Sequence, residues 1–133
     1  MIPQTQSRVG RTGRCFEACI ASLLDLKERD VPDFGGDDVF MQNCTEFLAE
    51  FGLYYVQVPP TLSGLAVVWH PGMGEAYHTI EGMSPRGGLH AVVGCNGEIV
   101  WDPHPDDGTP HGLVRVDCFG LICARLNARN QLL

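Results

Sequence analysis

Apolar positions along the chain change their period about a third of the way in, and the change separates a helical opening from a strand-rich remainder. Cys15, Cys19, Leu23 and Leu26 fall at i, i+4, i+8 and i+11, one face of a helix. That spacing predicts a helix from at or just before Cys15 to about Lys27. The Pro and paired Gly of Asp30-Val31-Pro32-Asp33-Phe34-Gly35-Gly36 then break the pattern. A second helix is expected from about Asp38 to Phe51, with Asp37 as N-cap, Gly52 just past its end, and Val39, Phe40, Cys44, Phe47, Leu48 and Phe51 as its apolar stripe. The runs that follow read as strands: Leu53–Val58, Ala66–Trp69, Tyr77–Ile80, His90–Cys95, Glu98–Asp102, Leu113–Val116 and Phe119–Ala124. Together they predict an α+β fold, N-terminal helices packed on an antiparallel sheet.

Asn96-Gly97 between two apolar runs is a strong hairpin signal, so His90–Cys95 and Glu98–Asp102 are expected as adjacent antiparallel strands. A two-residue turn pairs Cys95 with Glu98 and Gly94 with Ile99, which sets Asp102 opposite Ala91 and diagonal to His90. Val58–Gly64, His70–Gly74 and Gly82–Gly88 read as surface loops that rim a cleft. No repeat or low-complexity segment interrupts the chain.

With 133 residues and 44% hydrophobic content, the chain suits one domain, 1–133, with one core. Nine basic against sixteen acidic residues give a net charge of −7, and the arginines are scattered, which argues against nucleic acid as a partner. No stretch approaches the roughly 20 apolar residues of a membrane span, and the first residues lack the apolar core of a signal peptide. A soluble, cytoplasmic protein is expected. The six cysteines include no C-x-x-C pair and are expected to stay reduced.

Cys15 opens the first predicted helix, where unsatisfied N–H groups and the helix dipole favour a thiolate. Gly10, Arg11, Gly13 and Arg14 precede it and suggest a flexible, electropositive approach for a substrate. Taken singly, Cys15 reads as a buried thiol, His90 as a satisfied strand histidine and Asp102 as a strand end before Pro103. Taken together, with the hairpin bringing His90 to Asp102, they are the parts of a thiol nucleophile, its base and an orienting acid. His70, His78, His104 and His111 sit in or beside loops and are less well placed.

Gly13-Arg14-Cys15-Phe16-Glu17-Ala18-Cys19-Ile20-Ala21-Ser22-Leu23-Leu24, with Val31-Pro32-Asp33-Phe34 after it, resembles the opening of small papain-like proteins of phages and bacteria. Gly82–Val93 and Val100-Trp101-Asp102-Pro103-His104-Pro105 are similar to the second half of that family, where the His and Asp of a Cys-His-Asp triad lie. Bacteriocin-leader peptidases, cell-wall amidases and transglutaminases are its wider relatives. The resemblance implies a papain-like fold and a cysteine hydrolase acting on a peptide, isopeptide or amide bond of a peptide or protein substrate, without a cofactor or metal. It also implies a Gln upstream of the nucleophile as oxyanion donor beside the Cys15 N–H, with Gln6 the better match and Gln4 the competitor. The segment from Cys15 to His90 is short for such an enzyme, so a minimal core with a shallow cleft is expected.

Ser84-Pro85-Arg86-Gly87-Gly88 lies just before His90 and is a candidate rim or lid, with Ser84 and Arg86 as substrate-binding residues. Trp101 alternates to the face opposite Asp102 and reads as hydrophobic cover. Three other readings stand beside the hydrolase. One is a transglutaminase-like acyl transferase using the same triad. Another is a non-catalytic, phage-encoded binding or inhibitory protein, which would act in the host cytoplasm. The third is a metalloprotein built on Asp102, His104, Asp106, Asp107 and His111.

Overall fold

Residues Cys15–Leu23 form helix α1 and Phe40–Ala49 form helix α2 in the computed structural model, which describes residues 1–62, 65–66, 68–70, 72 and 74–126. α1 stops short of Lys27 because Asp25 takes a left-handed φ of 56° and the Leu26 N–H folds back onto the Ala21 carbonyl at 2.9 Å. A 3-10 turn, Glu28–Asp30, follows. α2 is shorter than expected at both ends: Val39, not Asp37, precedes it, and no side chain caps it. Gly52 does take the left-handed conformation expected past a helix end, with φ 69°.

The strands are β1 (Leu53–Val58), β2 (Thr61–Leu62), β3 (Leu65–Ala66), β4 (Tyr77–Met83), β5 (Leu89–Cys95), β6 (Glu98–Trp101) and β7 (Arg115–Ala124). Five of them form an antiparallel sheet in the order β1-β7-β4-β5-β6, and β2 pairs with β3 apart from it. The strand expected over Ala66–Trp69 is reduced to β3, and Val68 and Trp69 lie beyond it. Arg115 and Val116, the end of the run expected over Leu113–Val116, merge with Phe119–Ala124 into the single strand β7, and Leu113 and Val114 lie before it. Asp117-Cys118 reads as an interruption because it is a bulge: Glu81 pairs with Cys118 and Gly82 with Val116, leaving Asp117 as the extra residue. Gly82 permits this close approach, since a Cβ there would sit 1.8 Å from the Arg115 carbonyl oxygen.

At the hairpin, Asn96 and Gly97 take φ of 51° and 86°, the signature of a type I′ turn. Cys95 pairs with Glu98 and Gly94 with Ile99 as the turn dictates. A bulge then shifts the register, so that Trp101 faces Val93 and β6 ends there; Asp102 does not pair with Ala91.

The helices cover one sheet face. Phe16, Cys19, Ile20, Val31, Phe34, Cys44, Leu48 and Tyr55 fill the space above Ala91 and Val93. On the opposite face Ile80, Val92 and Phe119 pack with Trp69 and Leu113. Every residue of α1 from Phe16 to Ser22 is buried, as suits a helix enclosed on all sides. The N-terminal segment closes its last open side. Ile2 N–H donates to Ser22 O at 3.1 Å and Gln4 N–H to Ser22 Oγ at 2.9 Å, while Gln6 N–H reaches Pro103 O at 2.9 Å. Trp101 Nε1–H donates to the Gln4 carbonyl at 2.9 Å and ties the same strap to β6. Among the described residues, no helix is long and apolar enough to cross a membrane.

Candidate active site

Cys15 is the first residue of α1, half-buried, and the residue before it offers no side-chain cap to the helix end. A tight turn sets this entry. Gly13 N–H donates to Gly10 O at 2.9 Å and Arg14 N–H to Arg8 O at 3.0 Å. Arg14, expected to lend positive charge to the approach, instead points into the protein. Its Nε reaches Glu28, its Nη1 reaches Asp33, and its Nη2 donates to the carbonyls of Glu28 at 2.8 Å and Val31 at 2.6 Å. Burial opposes its charge, but the hydrogen bonds and charges of Glu28 and Asp33 outweigh that and raise its pKa. Arg14 is therefore a clamp on the segment that follows α1. Of the two arginines, Arg11 is the one that lines the cavity at Cys15.

His90 and Asp102 meet despite the shifted register. His90 Nε2 lies 2.7 Å from Asp102 Oδ1, with both side chains almost wholly buried. Asp102 Oδ1 also accepts the His104 N–H at 2.8 Å, and Oδ2 accepts the Gly112 N–H at 2.6 Å. The acid thus holds both the imidazole and the loop that follows β6. Burial would raise its pKa, but hydrogen bonds from His90, Gly112 and His104 pull it down to about 2. Burial likewise works against an imidazolium at His90, yet the hydrogen bond to Asp102 and the nearby sulfur of Cys15 carry its pKa up to about 9. With Nε2 committed to Asp102, Nδ1 is the ring nitrogen left for Cys15.

A cavity of about 670 Å³ opens beside these residues, lined among others by Gln6, Arg11, Ser84, Arg86 and His104 together with Cys15 and His90. Gln6 is 5% exposed; its Nε2 donates to Arg8 O at 2.7 Å, and its buried Oε1 has no hydrogen-bond partner among the described residues. An amide nitrogen carries two protons, so one remains after the bond to Arg8. Gln4 faces elsewhere: its Oε1 accepts the Glu28 N–H at 3.1 Å and its Nε2 donates to Pro3 O at 3.2 Å. Ser84 is buried in its own turn, Oγ to Gly87 O at 3.1 Å and N–H to Gly88 O at 3.0 Å. Arg86 bonds across to the Pro110 carbonyl, joining the 84–88 turn to the loop after β6. Trp101 packs against the helix-side core as expected of cover.

The remaining histidines are otherwise engaged. His78 is fully buried, stacked on Trp69 at 4.4 Å; its Nδ1–H donates to Thr79 O at 2.9 Å and its Nε2 accepts the Gly97 N–H at 3.0 Å. Burial lowers its pKa. His104 Nε2 contacts Asp107 at 3.0 Å and Thr109 at 3.1 Å, and His111 Nε2 donates to His104 O at 3.0 Å. Asp106 is exposed. Among the described residues, no group of three or more His, Cys, Asp or Glu is placed to hold a metal ion.

Two features of the site escape sequence reasoning. Asp102's grip on Gly112 has only a faint trace, the Gly of Thr109-Pro110-His111-Gly112, which adopts φ 87°. Glu81 falls just past the strand expected over Tyr77–Ile80, yet it lies within β4 and lines a second cavity at Cys15. Compared with protein-family models, with curated protein sequences and with solved structures, the chain finds no match.

Proposed function

We propose that this protein is a papain-like cysteine hydrolase that cleaves an amide or peptide bond through Cys15, His90 and Asp102. The observation that carries the reading is the 2.7 Å contact of His90 Nε2 with Asp102 Oδ1, in a ring that lines one cavity with a thiol on an uncapped helix N-terminus. Nucleophile on the first helix, base on β5 and acid just past β6 is also the order the resemblance implies.

In this reading the resting pair is thiolate and imidazolium. Cys15 Sγ attacks the carbonyl carbon, and the oxyanion so formed meets the Cys15 N–H and the spare Nε2 proton of Gln6. The C–N bond breaks as His90 gives its proton to the leaving nitrogen, leaving a thioester and a neutral imidazole. Water then gives a proton to His90 and adds to the thioester, which releases the carboxylic acid and restores the ion pair. Asp102 holds the ring through Nε2 and favours its protonated form. Arg86 and Ser84, in the turn beside the cavity, are proposed to bound the substrate site.

Alkylation of the full chain with iodoacetamide between pH 5 and 9, read by peptide mass mapping, tests the reading. Cys15 is expected to react first. Burial pushes the thiol of Cys19 well up, that of Cys44 to about 12, and that of Cys118, which also faces Glu81, to about 12. Even labelling over the thiols, or a His90→Ala profile that overlays the wild type, would sink it.

A further inference from the structure

Cys15 and His90 stand between two cavities whose walls differ in charge. The first, described above, is lined by Arg11 and Arg86. The second, about 350 Å³, has apolar walls from Phe16, Phe40 and Leu89 and the carboxylates of Glu81 and Asp117. Asp37 lines both.

The two carboxylates are not equivalent. Asp117 is exposed and paired with Arg115 at 2.6 Å. Glu81 is half-buried on β4, and among the described residues no cation pairs with it. Its Oε2 is instead held by three neutral donors, Tyr55 Oη–H at 2.8 Å, Gln57 Nε2–H at 3.0 Å and Cys118 Sγ–H at 3.0 Å. Oε1 has no hydrogen-bond partner among the described residues. Neutral donors orient a carboxylate without cancelling its charge, and a partly desolvated charge without a counter-ion is costly to keep. A cavity of this size, at the low end of the ~300–1,000 Å³ usual for ligands, holds one extended side chain. Apolar walls ending at a carboxylate match a methylene stem ending in a cation.

Resting on the thiol chemistry proposed above, the geometry points to a substrate with a Lys- or Arg-like side chain that enters the second cavity and meets Glu81 while its acyl carbon lies at Cys15. Glu81 is then the residue that sets specificity, and the acidic surface of the chain as a whole is not what selects the cation.

Three methanethiosulfonates of similar size, with ammonium, neutral or sulfonate heads, test this on the full chain, with modification of Cys15 read by peptide mapping. Dividing each rate by that of the neutral reagent removes changes in thiol reactivity. The ammonium reagent is expected to lead, and Glu81→Gln is expected to cut its advantage about fivefold or more. Because Glu81→Gln disturbs three hydrogen bonds, Met41→Lys provides a second arm: Met41 is a 39% exposed residue lining the cavity, and a cation there should cut the advantage similarly. Glu50→Gln removes the same charge at the far end of α2 and should leave the ratio alone. An ammonium preference that survives either cavity substitution, or that Glu50→Gln lowers as much, overturns the assignment. A neutral-reagent rate at Cys15 indifferent to His90→Ala would instead count against the hydrolase reading, leaving the charge ratio to judge the cavity.

Discussion

β4 and β5 each carry a buried histidine opposite a glycine of the other strand: His78 faces Gly94, and His90 faces Gly82. The two ends of this ladder treat the same side chain in opposite ways. At the end beside the Asn96-Gly97 turn, Trp69 stacks on His78 and both ring nitrogens are bonded to backbone, so desolvation prevails and the ring is held neutral. At the end beside the 84–88 turn, burial is similar, but a carboxylate and a nearby thiol replace the backbone partners, and the pKa rises to about 9. Burial alone does not make a catalytic base; the charge of its partners decides the sign. One histidine serves the hairpin, and the other is the one the proposed hydrolase would use as its base.

The comparison breaks most sharply at the nucleophile. Cys15→Ala is expected to abolish turnover and covalent labelling while unfolding remains cooperative, because Ala suits the first turn of a helix. A larger loss of labelling from Cys19→Ala would mean the wrong thiol has been chosen. Next in size, His90→Ala should lower turnover about a thousandfold, within the range of general-base removal. It should also slow the alkylation of Cys15 near neutral pH. Asp102→Asn should act in the same direction on the alkylation of Cys15 but more weakly, since it keeps the base and disturbs only its tautomer and orientation. Kinetics and alkylation profiles of the three variants give the order directly.

At the other end, His78→Ala should leave the Cys15 alkylation profile where it is and lower stability by about 2–3 kcal/mol, through a lost stack and two unpartnered backbone groups. Urea titration reads this, and a shift of the alkylation inflection would show that the two ends are coupled. The smallest effect is in the pH dependence of stability. His90, raised above an unfolded value near 6.5, contributes stability that is whole below that pH and lost as pH rises through about 9. His78, lowered by burial, contributes stability present above about 6.5 and lost as pH falls. His90→Gln should flatten the alkaline decline of the unfolding free energy from urea titration by about 1–2 kcal/mol and leave the acid side unchanged. A decline that persists would show that His90 is not the group responsible.

The nearness of His90 to Asp102 was legible because Asn-Gly dictates that the two strands pair, although the register the turn implies at Asp102 is not the one found. The bulges were not, since one extra residue in a strand leaves the alternation of the neighbouring runs intact; the one at Asp117 reads as a break between two strands. Arg14 misled for a different reason. Its long side chain satisfies partners at positions 28 and 33, and nothing local says that an arginine next to a helix start turns inward. The helix ends were also overrun, because Leu24, Leu26 and Phe51 continue the apolar period beyond residues whose backbone has already left the helix. Glu81 was hidden by its charge, which within an otherwise apolar run marks a strand end unless something holds it.

The strap before α1 carries a consequence for the timing of folding. Trp101 binds the carbonyl of Gln4 across 97 positions of sequence, and Gln6 is tied to Pro103 in the same way. Contacts of such separation are entropically expensive and form only when the intervening chain is already ordered. The helix bearing Cys15 can form early from local contacts, whereas His90, Asp102 and Gln6 reach it through the last and longest closures. Fast labelling of Cys15 should therefore appear late in refolding, after most helical signal has returned, and so serve as a clock for completion of the native topology.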